Sequence, residues 1–238
     1  MQKYIQLIVI FTASMVLLSG CGGGGGGGGE SASSSTTAPQ KSTTVNNEEK
    51  REISSATDIL PTNVPRIVDA SGVYGLKVLC GSKRITTGQG GTFSCDKLPV
   101  SIFLGEEEIG KISMIPADKR IYTQDILGKA RAAIMDPLVT KLSMVLQSLD
   151  SDGNPSNGIV LLSKNIDVFN RYLLSTGTLA TISFDDLENV LQDTISDIKI
   201  DDPHTRVHFV DAKSAQYNLA TEMANAPSLT YAQRLAGE

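Results

Sequence analysis

The sequence predicts an α+β protein in which a small antiparallel β-sandwich module is followed by an amphipathic helical segment, behind a disordered Gly/Ser linker. Three observations predict this class. Residues 63–116 contain short apolar runs in which side chains alternate, the period of strands. Residues 117–225 carry apolar side chains at helical spacing. Residues 21–62 are rich in glycine, serine and threonine and have too little apolar surface to offset the entropy of folding.

Residues 1–20 have the features of a secretory signal peptide. Lys3 precedes an almost uninterrupted apolar run from Tyr4 to Leu18, and two small residues follow. The run is shorter than the roughly 20 residues that a membrane-spanning helix needs. The stretch "LLSGC" resembles the bacterial lipobox, in which the signal is removed immediately before a cysteine that receives lipid. The resemblance implies that Cys21 is the lipidation site and carries several acyl chains such as palmitate.

A lipidated Cys21 predicts a protein of the cell envelope whose membrane partner is reached through the N-terminal anchor. The next residue is Gly22 and not Asp, which in the enterobacterial sorting pattern implies the outer membrane, at its periplasmic face or at the cell surface. The linker behind the anchor, taken as a flexible coil of about 40 residues, has a reach of roughly 35 Å. We therefore expect the folded part to stay near the membrane and to move over it.

The charge balance argues against nucleic acid as a partner. The chain has 21 basic and 26 acidic residues, and removal of the signal takes away Lys3 only, so 20 basic and 26 acidic side chains leave a charge of −6. A negative surface repels phosphate groups. The absence of tryptophan and the small number of aromatic residues weaken the case for carbohydrate binding by ring stacking, although six tyrosines leave it open. A protein or a glycan remains the expected partner.

The β-module is predicted as four or five short strands joined by hairpins. Its strand pattern rests on apolar side chains at mostly alternating positions on either side of glycine-rich turns: Val73, Leu76, Val78, Ile85, Phe93, Val100, Ile102, Leu104, Ile109, Ile112 and Ile115. The final hairpin is expected to turn through residues 105–108. Such a pattern favours a small antiparallel sandwich.

Cysteine counting predicts one disulfide. Three cysteines leave an odd thiol unless Cys21 is lipidated, and Cys80 and Cys95 then remain as a pair in a compartment where disulfides persist. They lie at the ends of a strand-turn-strand unit, where disulfide geometry can be met. A zinc site would need more ligands, and a redox pair is more often Cys-x-x-Cys. A bond here would stabilise the module by about 3 kcal/mol.

The helical segment is predicted to contain three long helices and one short one. Pro137 in the first turn under an Asp136 cap begins a helix whose apolar face continues to Leu149. A shorter helix is expected over 124–131. Ser183 caps a second long helix, and a third runs over 211–225. The piece "GIVLL" between them is a strand or a buried turn, and residues 226–238 form a C-terminal tail.

The stretch "SLDSDGNPSNGI" after the first long helix allows two interpretations. Four side chains offer the hard oxygen ligands that calcium prefers: Asp150, Asp152, Asn154 and Asn157. The stretch is not an EF-hand, because Pro155 stands at its sixth position and Leu161 at its twelfth. The same residue types also end helices and build turns through local hydrogen bonds. A calcium site completed by carbonyls and a helix stop both remain open.

The histidines are weaker candidates. His204 and His208 lie near Asp201 and Asp202, a spacing that suggests a metal. They would share a face only in a helix, and Pro203 favours a loop followed by a strand. We expect them to be surface or structural residues. The chain contains no sequence motif of a known catalytic site.

Several of these stretches together resemble a set of bacterial surface proteins and lipoproteins. The segment from "SGVYGLKVLC" to "GKI", followed by "TQDIL", "LSMVLQSLDSDGNPSNGI" and "VHFVDAKSAQYNLA", is similar to their pattern. In that pattern a carboxypeptidase-regulatory-like or immunoglobulin-like β-module precedes an α-helical segment ending L-Q-S-L-D-x-D-G-x-P-x-N-G-I. The chain departs from it at Gln89-Gly90-Gly91, where the family has an acidic residue, Asn and Gly. The resemblance implies an exported envelope protein that is not an enzyme, and it supplies no ligand.

Two functions follow from the sequence. The first is a membrane-tethered, non-catalytic binding or structural module for a protein, glycan or cell-wall partner, with calcium as its one candidate cofactor. The second is an envelope enzyme whose site lacks a recognisable motif. The enzyme hypothesis predicts a deep pocket in which Asp150, His204 and His208 converge.

Overall fold

A four-stranded antiparallel sheet and five helices organise the computed structural model, which describes residues 64–226. The predicted signal peptide, Cys21 and the linker to residue 62 lie outside the described residues, as do residues 227–238 of the predicted tail. The elements in chain order are β1 (Arg66–Val68), β2 (Val73–Tyr74), β3 (Lys77–Cys80), β4 (Lys83–Thr86), β5 (Val100–Leu104), β6 (Glu107–Ile112), β7 (Arg120–Tyr122), α1 (Thr123–Ile126), α2 (Pro137–Ser148), β8 (Ile159–Val160), α3 (Ser163–Thr176), α4 (Phe184–Asp201) and α5 (Ala212–Asn225).

The four-stranded sheet has the order β4-β3-β5-β6, and every neighbouring pair is antiparallel. Val78 in β3 lies opposite Ile85 in β4 and Ile102 in β5. The strand predicted from the alternation of Val100, Ile102 and Leu104 is β5. All five of its residues are buried, so both faces of this strand are covered. The turn that follows is shorter than expected, because β6 begins at Glu107.

Two short parallel strand pairs connect the β-module to the helical segment. β1 pairs with β7, so that Val68 lies opposite Tyr122, and β2 pairs with β8, so that Val73 lies opposite Ile159. Parallel pairing brings together residues that are distant in sequence. Apolar side chains from the sheet, from both pairs and from helices α1 to α5 belong to one buried cluster. The open face of the β-module and the helices therefore share a core.

The long helices begin where their caps predict. The Asp136 carboxylate accepts from Leu138 N at 2.9 Å, and the Ser183 hydroxyl accepts from Asp186 N at 3.0 Å. Asp211 caps α5 through Ser214 N at 2.8 Å. The helix expected over 124–131 is only one turn long, and residues 129–136 form turns and irregular loop. The predicted strand after Pro203 is absent from the described residues, where 205–211 has no regular structure.

Helix α3 was not expected from the sequence. Its apolar residues Ile166, Phe169 and Leu173 do lie at helical spacing and are buried. Its first turn lacks a capping side chain, since Leu162 occupies the N-cap position. The periodic signal was therefore present, but the usual start signal was not.

Cys80 and Cys95 form a disulfide, with Cα atoms 5.6 Å apart. The bond joins the end of β3 to the loop before β5. Among the helices of residues 64–226, none has the length and apolar character needed to cross a membrane.

Candidate binding site

The four residues predicted as calcium ligands come together in one loop, residues 150–158, directly after α2. Asp150 is fully buried, and its carboxylate accepts from Val160 N at 2.8 Å and from Asn154 N at 2.9 Å. Asp152 also accepts from Asn154 N, at 2.9 Å, and from the Asn157 amide at 3.0 Å. The loop is thus closed by its own side chains, as the helix-stop interpretation expects.

The two carboxyl groups of the loop differ in acidity. Burial is the main cause that raises the pKa of Asp150 to about 7; the neighbouring Asp152 carboxyl acts in the same direction, and the two backbone hydrogen bonds oppose it. Partial burial opposes ionisation of Asp152, but hydrogen bonds from Asn157 and Asn154 bring its pKa below the ordinary value. If both Asp150 and Asp152 are ionised, their carboxylates repel each other. A cation bound between them would relieve this repulsion.

The loop offers two carboxylates and two side-chain amides to a cation. It does not bring three His, Cys, Asp or Glu ligand atoms within 4.8 Å of one another; in the part of the chain that is described, such a group occurs only at Cys80, Cys95 and Asp96. Two of those three residues are already bonded to each other. Calcium in the loop would need amide and backbone oxygens to complete its shell.

The loop packs against the segment that contains the histidines. Gly153 has a φ of 68°, and a Cβ at this position would meet the carbonyl oxygen of Arg206 and lie 3.0 Å from His208 Nδ1. His204 is placed differently, since its backbone N–H donates to Asp202 at 3.2 Å at the end of α4. His208 therefore lies beside the loop at Gly153, and the described contact of His204 is with Asp202.

A pocket of about 380 Å³ lies between residues 154–156 of the loop and helix α5. Its lining is polar apart from two residues and consists of Ala70, Asn154, Pro155, Ser156, Asn218, Thr221, Glu222 and Asn225. None of Asp150, His204 and His208 lines it. This pocket is therefore not the one in which the enzyme hypothesis expects those three residues to converge.

A buried carboxylate lies next to the pocket. Asp69 follows β1 and is completely buried. It accepts hydrogen bonds from Ala70 N at 2.9 Å, Ser143 Oγ at 2.6 Å, Gln147 Nε2 at 2.6 Å and the Thr123 hydroxyl. Burial raises the pKa of Asp69, although all four hydrogen bonds act to lower it.

The Asp69 network reaches the pocket wall through one intermediate side chain. Gln147 donates to Asp69 and, at 3.1 Å, to the carbonyl of Ala215, so its Oε1 is left to accept. Asn218 Nδ2 donates to that oxygen at 2.8 Å. The buried carboxylate thereby determines the orientation of an amide that lines the pocket.

An ion pair involves Glu222, another residue of the pocket lining. Arg120 Nη1 lies 2.6 Å from Glu222 Oε1, and the two side chains are only 11% and 24% exposed. Arg120 comes from β7 and Glu222 from α5, which lie 102 residues apart in sequence. The pair neutralises the Glu222 carboxylate, which lines the pocket.

Sequence reasoning missed Asp69, Asn218 and Glu222. A signal existed for Asp69, because it is a lone acidic residue between the apolar residues Val68 and Ala70. The other two lie on the polar face of a helix, where polar residues are ordinary. Only their position beside the loop distinguishes them.

Comparisons with protein-family models, with curated proteins and with solved structures find no match to this chain. The resemblance to envelope lipoproteins therefore remains a prediction.

Proposed function

We propose that the chain is a membrane-tethered bacterial envelope lipoprotein that acts as a non-catalytic binding module, with the pocket beside α5 as its binding site. The lipobox-like stretch ending at Cys21 and the linker behind it support the tether. The observation that carries the binding role is the polar pocket, whose wall is positioned by the fully buried Asp69 through Gln147 and Asn218. Its ligand is a partner in the envelope, a glycan or cell-wall component in preference to nucleic acid.

The finer architecture belongs to the same proposal. The four-stranded sheet is one layer of a small sandwich whose second layer contains the pairs β1–β7 and β2–β8. In support, Val78 and Ile102 of the sheet share one buried cluster with Ile121 and Val73 of the pairs.

Calcium is the proposed cofactor and is held by the loop through Asp150, Asp152, Asn154 and Asn157. Asn154 both belongs to this set and lines the pocket. A cation that orders the loop would therefore also order one wall of the binding site.

The tether is tested by fractionating bacteria that produce the full chain. The parent is expected in the outer-membrane fraction and labelled by a palmitate analogue, whereas Cys21→Ser is expected to lose the label. Labelling of the variant to the parent's level would refute the lipid anchor at Cys21.

The binding role is tested with the detergent-purified full chain and delipidated cell-wall material, so that the anchor does not contribute. The pocket variants Thr221→Val and Asn225→Ala are expected to bind less than the parent. Asn189→Ala, on the exposed side of α4, is the matched control and should bind as the parent does. Equal binding by all four proteins would show that the pocket is not the site.

A further inference from the structure

We infer that the pocket takes a neutral saccharide, recognised through its hydroxyl groups by the amide and hydroxyl side chains of the lining. This inference rests on the proposed function, since it names the ligand class of the same site. Four properties of the pocket carry it: its charge, its hydrogen-bonding groups, the direction of one fixed amide, and its size.

The charge of the lining favours an uncharged ligand. Glu222 is the one ionisable side chain among the lining residues that the structure describes, and Arg120 Nη1 lies 2.6 Å from its Oε1. Among the described residues of the lining, an anionic ligand would meet no cationic side chain. A cationic ligand would have to compete with an arginine that is already in place and largely buried. A neutral ligand needs no opposite charge in the lining and does not compete with Arg120 for Glu222.

The hydrogen-bonding groups of the lining both donate and accept. Asparagine side chains carry a carbonyl oxygen and two N–H donors, and hydroxyl groups do both. Thr221 Oγ1 donates to the carbonyl of Tyr217 at 2.8 Å, which leaves its lone pairs as acceptors. Ser156 Oγ donates to Asn154 Oδ1 at 2.7 Å, which leaves the Asn154 amide hydrogens as donors. A saccharide hydroxyl, which also donates and accepts, matches this mixture.

One acceptor is fixed in direction by the buried network. Asn218 must donate to Gln147 Oε1, because the Gln147 amide nitrogen is held by Asp69 and by the carbonyl of Ala215. Asn218 Oδ1 is therefore an acceptor whose orientation does not have to be ordered on binding. A positioned acceptor of this kind reduces the entropic cost of holding a ligand hydroxyl.

The size and apolar part of the pocket suit one or two sugar units. About 380 Å³ lies near the lower end of the 300–1,000 Å³ range of small-molecule sites. Ala70 and Pro155 give the lining a small apolar surface against which a ring face or an N-acetyl methyl group can pack. No aromatic side chain lines the pocket within residues 64–226, so we expect weak binding that depends on hydrogen bonds.

Ligand-observed NMR of the full chain in detergent tests the inference with three related disaccharides. They are N,N′-diacetylchitobiose, which is neutral, its deacetylated form, which is cationic, and digalacturonate, which is anionic. We expect saturation transfer to the neutral disaccharide only. Thr221→Val and Asn225→Ala should each weaken its binding about fivefold, the effect of losing about one hydrogen bond. Asn189→Ala should leave it unchanged.

Three results would overturn the inference: no transfer to the neutral disaccharide, stronger transfer to either charged form, or transfer that both pocket variants leave unchanged. Its failure is distinguishable from that of the proposed function. If cell-wall binding depends on Thr221 and Asn225 but the neutral disaccharide does not compete, the binding site stands and the ligand class is wrong. If the pocket variants bind the cell wall as the parent does, the proposed site itself is wrong.

Discussion

Gln147 Nε2 lies 2.6 Å from Asp69 Oδ1, so that a side chain on helix α2 donates to a carboxylate that follows the first strand, 78 residues earlier. This contact fastens the β-module to the helical segment at a fully buried position. Thr123 and Ser143 donate to the other oxygen of the same carboxylate. Its four donors come from the residue after Asp69, from α1 and from α2.

Asp69→Ala is expected to lower the free energy of unfolding by about 3 kcal/mol or more, because it leaves buried donors without an acceptor. Asp69→Asn should cost much less, since the hydroxyl groups of Thr123 and Ser143 can accept from its amide. Chemical denaturation of the full chain measures both, with the exposed Asp167→Ala as control. Equal losses for Asp69→Ala and Asp167→Ala would show that the network does not stabilise the fold.

Asp69 also predicts how stability depends on pH. Burial raises its pKa in the folded protein above the ordinary value of 3.8, so the folded state holds the proton more tightly than the unfolded chain does. Stability is therefore expected to fall as pH rises above 3.8, until the folded carboxyl has also ionised. Asp69→Asn should remove this part of the dependence. A variant with the same pH profile as the parent would contradict the buried carboxyl as its source.

The aspartate loop predicts a second, separable pH effect. The pKa of Asp150 is about 7 in the fold and 3.8 as an ordinary value, so stability should decrease between about pH 4 and pH 7, by about 1.4 kcal/mol per pH unit at the steepest. Asp152→Asn removes the neighbouring negative charge and should shift the effect to lower pH. Unfolding midpoints measured in chelator from pH 4 to 8 give the comparison, and an unchanged profile would show that the two carboxyls do not interact.

Calcium is expected to raise the midpoint of thermal unfolding at pH 8, where both loop carboxylates are available to a cation, by mass action on the folded state. The increase should disappear in chelator and in the double variant Asp150→Ala, Asp152→Ala. Asp193→Ala with Asp201→Ala removes two exposed acidic residues outside the loop and is the matched control. Coinciding curves with calcium and with chelator would leave the loop as a helix stop.

Gly153 predicts a steric effect that can be separated from backbone strain. Gly153 and Gly128 have φ angles of 68° and 65°, but a Cβ at Gly153 would meet the Arg206 carbonyl oxygen while one at Gly128 has no atom within 4 Å. Gly128→Ala should cost about 1 kcal/mol from conformation alone. Gly153→Ala should cost at least about 2 kcal/mol more, because the loop must move away from residues 204–208. If the two variants lose similar amounts of unfolding free energy, the Arg206 carbonyl can move away from a Cβ at position 153 at little energetic cost.

Local patterns predicted much of the fold. Alternation located β5 and β6, and the caps Asp136, Ser183 and Asp211 located three helix starts, because each depends on neighbours in sequence. Helix α3 was missed for the same reason, since Leu162 at its N-cap gives no local signal. The expected helix over 124–131 is shorter because Gly128 has a φ of 65°, the left-handed conformation that ends a helix, and its N–H donates to the carbonyl of Asp125 at 3.3 Å.

The sequence by itself determined the mixed class, the strands of the four-stranded sheet, the helices α2, α4 and α5, the pairing of Cys80 with Cys95 and the presence of one oxygen-rich loop. Only the tertiary structure decided that β1 and β2 pair with strands of the second half, and that Asp69, Gln147 and Asn218 form one chain of hydrogen bonds beneath a pocket. The physical reason is distance along the chain. A turn or a cap is stabilised within a few residues, whereas the pocket unites residues from 70 to 225, whose proximity depends on the burial of a core that they share.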